Sequence, residues 1–195
     1  ATITALGSAL VVMLAQRSSA EPCATSRELL ADTWGPTHRA ALADHLGRLA
    51  APASTEPLLV ALDGYAASWQ VMHEAACLAG HDGAHSDAML DKRMVCLAER
   101  RAALEGAIEV LGTTSSSSAL DSVAPAIHDL PAVERCGELP VLEAEVALPE
   151  DPATRAAVSE VREQLSRASL LADVGRFEDA HALAVHGVAR AEALE

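Results

Sequence analysis

Leu58, Leu62, Tyr65, Trp69, Met72 and Ala76 follow one another at alternating spacings of four and three residues, which places all six side chains on one stripe of an α-helix. That pattern commits the stretch to a long amphipathic helix with one face to bury. A second run, Leu90, Met94, Leu97, Leu104, Ile108 and Leu111, keeps the same rhythm apart from Arg101. Gly80 and Gly83 interrupt the chain between the two, Ser86 is placed to cap the second helix, and Gly112 to end it. Two long helices joined by a short loop fold back into an antiparallel hairpin, their stripes facing each other or a common core. Half of the residues are apolar but only 2% are aromatic, so the core must be built from Ala, Leu and Val. Such side chains suit close-packed helices, whereas sheets draw on β-branched and aromatic runs that are scarce here. The predicted fold class is all-α, a helical bundle around a long antiparallel helix hairpin.

Around the hairpin the signals are shorter. Ser26 with Glu28 starts a short helix ending near Trp34, where Gly35 and Pro36 break the pattern, and a second helix runs from about Thr37 to Leu49. The stretch from Ala50 to Pro57, with two prolines, reads as a connection, and the helix proper starts at Pro57. Thr113 to Ser118 reads as an exposed polar loop. Ser118 with Asp121 resembles a capping pair that opens a short helix limited by Pro125 and Pro131, and Glu138 to Val146 has room for one or two helical turns. Asp151-Pro152 is a strong helix start. From it one helix spans about Ala153 to Asp173, Gly175 makes the turn, and a second helix runs from Phe177 onward. The chain stops at Ala-Glu-Ala-Leu-Glu without a terminating signal, which is expected of a boundary inside a longer protein.

The formal charge of −14 opposes attraction to phosphate backbones, because a negative surface approaching a negative polymer releases no counterions. Nucleic acid is therefore not an expected partner. Residues 1–15 are apolar and uncharged, ending at Gln16 and Arg17. The run is short of the roughly 20 residues a spanning helix needs. It reads as the outer end of a membrane helix, the competing view being a core helix of the same domain. Four cysteines, Cys23, Cys77, Cys96 and Cys136, lack the C-x-x-C spacing of a zinc or redox motif. Two structural disulfides and four buried thiols both stay open.

No catalytic, cofactor-binding or metal-ligating residue is assigned. His73-Glu74-Ala75-Ala76-Cys77 approximates H-E-x-x-H, in which two histidines one turn apart hold zinc and the glutamate acts as base, but cysteine replaces the second histidine. His81 and His85 continue the four-residue spacing, with Gly80 and Gly83 between. Glu143 and Glu145 lie in an acidic stretch and read as a solvated face. Phosphate-loop, nucleophile-elbow and kinase signatures are absent from the sequence.

Two segments carry a family likeness. The stretch 62–69, then His73-Glu74-Ala75-Ala76-Cys77, then Ser86-Asp87-Ala88-Met89-Leu90-Asp91-Lys92-Arg93-Met94-Val95-Cys96-Leu97, resembles the region after the transmembrane helix of large bacterial serine/threonine protein kinases, common in myxobacteria. Ala168 to Ala180, with Gly175, Phe177 and Ala180, is similar to the turn of a tetratricopeptide repeat. The resemblance implies three parts: residues 1–17 as the end of a transmembrane or apolar helix, 18–149 as a cysteine-containing helical sensor or interaction domain, and 150–195 as a first tetratricopeptide-like repeat. It also implies a cell-membrane protein with this region on the extracytoplasmic side, and it favours disulfides without choosing among the three pairings that four cysteines allow. Cys77 with Cys96 is close in sequence, but a regular hairpin offsets them by about 12 Å, beyond disulfide reach. The expected role is a non-catalytic sensor or protein-interaction region that binds a protein or peptide through the helical repeats, with the kinase domain upstream. The alternative is a free-standing secreted or membrane-anchored repeat adaptor. A lone repeat cannot bury its hydrophobic face, so the last helix pair is expected to pack on the bundle and to leave an apolar end prone to homo-oligomer formation.

Overall fold

A computed structural model of the chain describes Cys23 and residues 26–144 and 147–194. The apolar N-terminal run lies outside the described residues, and among those described no helix is long and apolar enough to cross a membrane. The fold is all-α. In chain order the helices are α1 (Ser26–Ala31), α2 (Pro36–Gly47), α3 (Pro52–His81), α4 (Asp87–Thr113), α5 (Ser117–His128), a 3-10 turn (Val133–Gly137), α6 (Leu139–Ala144), α7 (Pro152–Asp173) and α8 (Phe177–Glu192).

The hairpin of α3 and α4 forms the centre. Leu58, Leu62, Trp69 and Ala76 of the α3 stripe are buried, as are Leu97, Leu104 and Leu111 of α4. Each leucine so enclosed contributes about 1.5–3 kcal/mol relative to exposure. The indole of Trp69 donates to the Leu97 carbonyl at 2.7 Å, and the Tyr65 hydroxyl donates to the Arg100 carbonyl at 3.2 Å, so residue numbers fall on one helix as they rise on the other. Gly83, at φ +68°, makes the reversal, and Ser86 caps α4 by accepting from the Met89 amide. Gly80 does not break α3 as expected. It stays helical, and its missing side chain is what Leu90 occupies: a Cβ there would stand 2.6 Å from Leu90 Cδ2.

Two prolines also differ from expectation. Pro52 takes the first turn of α3, so the helix starts before Pro57 and continues through it. Pro57 withholds a bond only from the carbonyl of Ala53, which lies on the exposed first turn where water can serve it. Pro125 likewise lies inside α5, and the N-cap of α5 is Ser116, not Ser118. The Thr113 to Ser118 loop is correspondingly shorter, and Thr114 is buried with its hydroxyl donating to the Val110 carbonyl.

Short segments strap the hairpin on both sides. The first runs antiparallel along α3: Cys23 meets Cys77, Ser26 donates to Glu74 at 2.9 Å, and the Trp34 indole and Arg39 guanidinium both donate to Asp63, at 2.9 and 2.7 Å. The second runs antiparallel along α4, where Arg100, Arg93 and Lys92 donate in turn to the carbonyls of Ala132, Cys136 and Leu142. That return path carries the chain from the end of α4 back to its beginning. Helix α7 therefore starts beside Asp91 and lies parallel to α4, with Arg155 paired to Asp91, Arg162 to Glu99 and Arg167 to Glu109. Helix α8 folds back along α7 after Gly175 at φ +79°, joined by Gln164 to the Leu183 carbonyl at 2.8 Å and by the Glu160–Arg190 ion pair at 2.5 Å. The last helix pair thus packs on the bundle, as its unburied face required.

Candidate interaction cleft

The four cysteines form two disulfides, Cys23–Cys77 and Cys96–Cys136, with Cα atoms 5.7 and 5.6 Å apart. The tempting neighbour pair Cys77 and Cys96 is not used. Each bridge instead joins a strap to the long hairpin. A six-residue α1 and a five-residue 3-10 turn are too short to hold themselves together, since isolated helices of under a dozen residues are marginal in water. The bridges, with Leu30 and Val133 buried beneath the straps, supply what local structure lacks.

The segment Asp91 to Leu97 is engaged almost residue by residue. Asp91 receives Arg155, Lys92 and Arg93 hold the return strap, Cys96 carries a bridge, and the Leu97 carbonyl receives Trp69. Arg93 is 5% exposed, and burial lowers its pKa below the ordinary arginine value. Its guanidinium also points a donor at Met72 Sδ, 3.6 Å away.

The metal-protease likeness does not survive the fold. The sulfur of Cys77 is consumed in a disulfide, and Glu74 accepts from Ser26. His73 is buried, its ring stacked on Trp69 with centroids 4.8 Å apart. Its Nδ1 has no hydrogen-bond partner. Burial depresses its pKa, partly countered by Glu74 and reinforced by Arg101. His81 and His85 lie beyond, the former exposed beside Asp82. Of the carboxylate pair, Glu143 is exposed and Glu145 lies outside the described residues.

One surface feature was not visible in the sequence. A cleft opens between α4, the end of α5 and α7, with Ala103, Leu130 and Leu170 on its floor and Leu165, 41% exposed, at its rim. Glu99 and Arg162 face each other across it at 3.5 Å, and Ser166 donates to the Glu99 carbonyl. Two further carboxylates line it, Asp129 as the C-cap of α5 and Asp173 as the last residue of α7. Neither makes a hydrogen bond or ion pair among the described residues. A second apolar surface lies on α8, where Phe177, Val185 and Val188 are each more than half exposed. Residues drawn from three segments make the cleft, and only the parallel docking of α7 on α4 brings them together. The one trace in the sequence is negative: acidic residues at helix C-termini are out of place electrostatically.

No protein-family model matches the chain, and no curated protein or solved structure matches it.

Proposed function

We propose that this chain is a non-catalytic, extracytoplasmic protein-interaction module, of the kind found between the membrane helix and the tetratricopeptide repeats of bacterial transmembrane serine/threonine kinases. The observation that carries the proposal is the pairing of all four cysteines in two bridges of long sequence separation, 54 and 40 residues. Bridges of this kind persist in oxidising compartments and are reduced in the cytosol. Both serve a structural purpose, holding straps that local contacts hold poorly, and such use fits a protein matured outside the cytoplasm.

Three features support the interaction role. Helices α7 and α8 form a helix–glycine–helix unit whose small residues face the contact: Gly187 lies against Leu165, and Ala180 is buried. This is the manner in which tetratricopeptide units pack. The α8 face with Phe177, Val185 and Val188 is the kind of apolar surface that an adjoining repeat or a second copy covers. The cleft between α4 and α7 offers a concave site with an apolar floor and polar rim.

The decisive experiment is a free-thiol count under denaturing conditions on protein recovered from an oxidising compartment, against a reduced control. No reactive thiols are expected. Four thiols in protein that remains folded would return the chain to the cytosol and defeat the extracytoplasmic reading. The same readout on full-length protein, combined with the coding sequence upstream of residue 1, separates a kinase sensor region from a free-standing adaptor.

A further inference from the structure

Helix α3 is apolar over more of its surface than the rest of the chain covers. Its three carboxylates all turn toward the first strap: Glu56 and Asp63 pair with Arg39 at 3.1 and 2.7 Å, and Glu74 accepts from Ser26 at 2.9 Å. On the other side, Tyr65 reaches the Pro131 carbonyl of the return path at 3.0 Å. The face between the two straps, turned away from the core, carries no charge over residues 60–78. Val60, Gly64, Ala67, Val71, Ala75 and Leu78 recur there at spacings of four and three, all exposed, with Val60 at 56%, Val71 at 69% and Leu78 at 48%. A helix in water normally presents charged residues on such a face, and one that is apolar all round is normally enclosed.

Gly64 points the same way. Glycine inside a helix costs about 1 kcal/mol relative to alanine. Gly80, Gly106 and Gly187 each leave room for a neighbour within the fold, Leu90, Leu170 and Leu165 respectively, and Gly47 and Gly112 lie at helix ends. A Cβ at Gly64 would meet nothing within 4 Å. The fold gives up helix stability there without an internal contact, as expected where another backbone approaches from outside.

We infer that this face of α3 is covered by the same face of a second copy of the chain, the two helices antiparallel about a two-fold axis at the level of Trp69. The pattern of side-chain sizes is self-complementary in that register, as a two-fold interface requires. Val60 meets Leu78 of the second copy, Gly64 meets Ala75 and lets the backbones approach, and Ala67 leaves room for Val71. The ends of the face match in charge. One end carries Glu56 with Arg39 and the other carries Asp82 with His81, so the two-fold sets each acid near a base of the second copy. Counted from the exposed Ala53 to Leu78, the face is about 38 Å long at 1.5 Å per residue and about 10 Å wide. Two such faces give on the order of 800 Å², enlarged where α1 of one copy comes beside α2 of the other, whereas stable complexes bury about 1,200–2,000 Å². The dimer is therefore weak and reversible, with a dissociation constant in the micromolar range. This contact is separate from the cleft and the α8 face, and it does not depend on the compartment in which the chain matures.

The test is sedimentation velocity of the full chain over a dilution series from low micromolar to submillimolar concentration, in which a monomer–dimer equilibrium is expected. Val71→Glu should raise the dissociation constant at least about tenfold, because it places an unpaired carboxylate inside the contact. Gly64→Leu should weaken pairing to a similar degree by holding the backbones apart. It should nonetheless keep or raise the unfolding midpoint of the dilute protein, since leucine is the better helix former and the position is open within the chain. Ala67→Lys alone should also weaken pairing. An equimolar mixture of Ala67→Lys and Val71→Glu chains should associate again, because the antiparallel register sets residue 67 of one copy beside residue 71 of the other. Val188→Glu puts the same charge on the exposed face of α8 and should leave the dissociation constant nearly unchanged. A chain that stays monomeric at every concentration would overturn the inference and leave residues 1–15 or a foreign protein as the cover of this face. Pairing that survives Val71→Glu but not Val188→Glu would move the contact to α8, and a mixture that fails to associate would overturn the antiparallel register.

Discussion

Gly106 of α4 lies directly under Leu170 of α7: a Cβ at residue 106 would stand 3.0 Å from Leu170 Cδ2 and 3.7 Å from Arg167 Cγ. The missing side chain sets how closely the two parallel helices approach, and hence the depth of the cleft beside them. Gly106→Leu should force the helices apart and destabilise the protein by about 1–3 kcal/mol, as overpacking does. Chemical denaturation measures the loss. Faster hydrogen exchange in α7 and α8 than in α3 should accompany it, and uniform protection across these three helices would show that Gly106 is not the docking determinant.

The two disulfides differ in access. Cys96 and Cys136 are both buried, at 7% and 0% exposure, and Cys23 is buried too, at 4%, but its partner Cys77 is only half-buried and offers the more reachable sulfur. Thiol–disulfide exchange needs an attacking thiolate to reach a sulfur, so mild dithiol treatment of the folded protein should open Cys23–Cys77 first. Mass-mapped alkylation at short times should label Cys23 and Cys77 ahead of the other two. Permanent removal of either bridge by a double Cys→Ser change should cost about 4 kcal/mol on the chain-entropy account of loops this long.

His73 ties stability to pH. Its pKa is depressed by burial, so below the unfolded value near 6.5 the unfolded chain takes up a proton that the folded chain resists. Stability is therefore full at neutral pH and falls as pH drops through that value toward the folded pKa. The slope is at most about 1.4 kcal/mol per pH unit, the limit for one proton. Urea midpoints compared between neutral and mildly acidic buffer should show the decline, and His73→Leu should flatten it. An unchanged slope in the variant would assign the effect to other groups.

Arg93 holds the return strap from within the core. Replacing it with alanine removes the donor to the Cys136 carbonyl and the packing on Met72. A loss of about 1.5–3 kcal/mol is expected for a hydrogen bond from a charged donor. The Cys96–Cys136 bridge keeps the strap attached, so the change should appear as faster amide exchange over 133–144 without a change in the thiol count.

Much of the helical framework was legible in the residues. The stripes at 58–76 and 90–111, the Ser86 cap, the Asp151-Pro152 start and the Gly175 turn all appear where spacing and capping chemistry put them, because each depends on neighbours within one or two turns. The exceptions have local causes that depend on distant ones. Pro57 and Pro125 remain helical, the former where the lost bond falls on an exposed turn, and Gly80 remains helical because Leu90 fills the space it leaves. Neither fact is written in the immediate sequence.

The cysteine pairing shows the same boundary. Nothing in the spacing of Cys23, Cys77, Cys96 and Cys136 selects among three connectivities, and the choice follows only once the first strap lies along α3 and the second along α4. The cleft is further still from the sequence, since Glu99, Asp129 and Asp173 come from three elements.

By itself the sequence determined most of the helical framework and the existence of a long hairpin with a helix pair to follow, because helical periodicity and capping act over a few residues. Tertiary structure alone decided that α7 runs parallel to α4, which cysteines meet, and where two acidic helix ends converge. Those outcomes depend on how short straps carry the chain back along the hairpin, and packing between surfaces distant in sequence has no local signature.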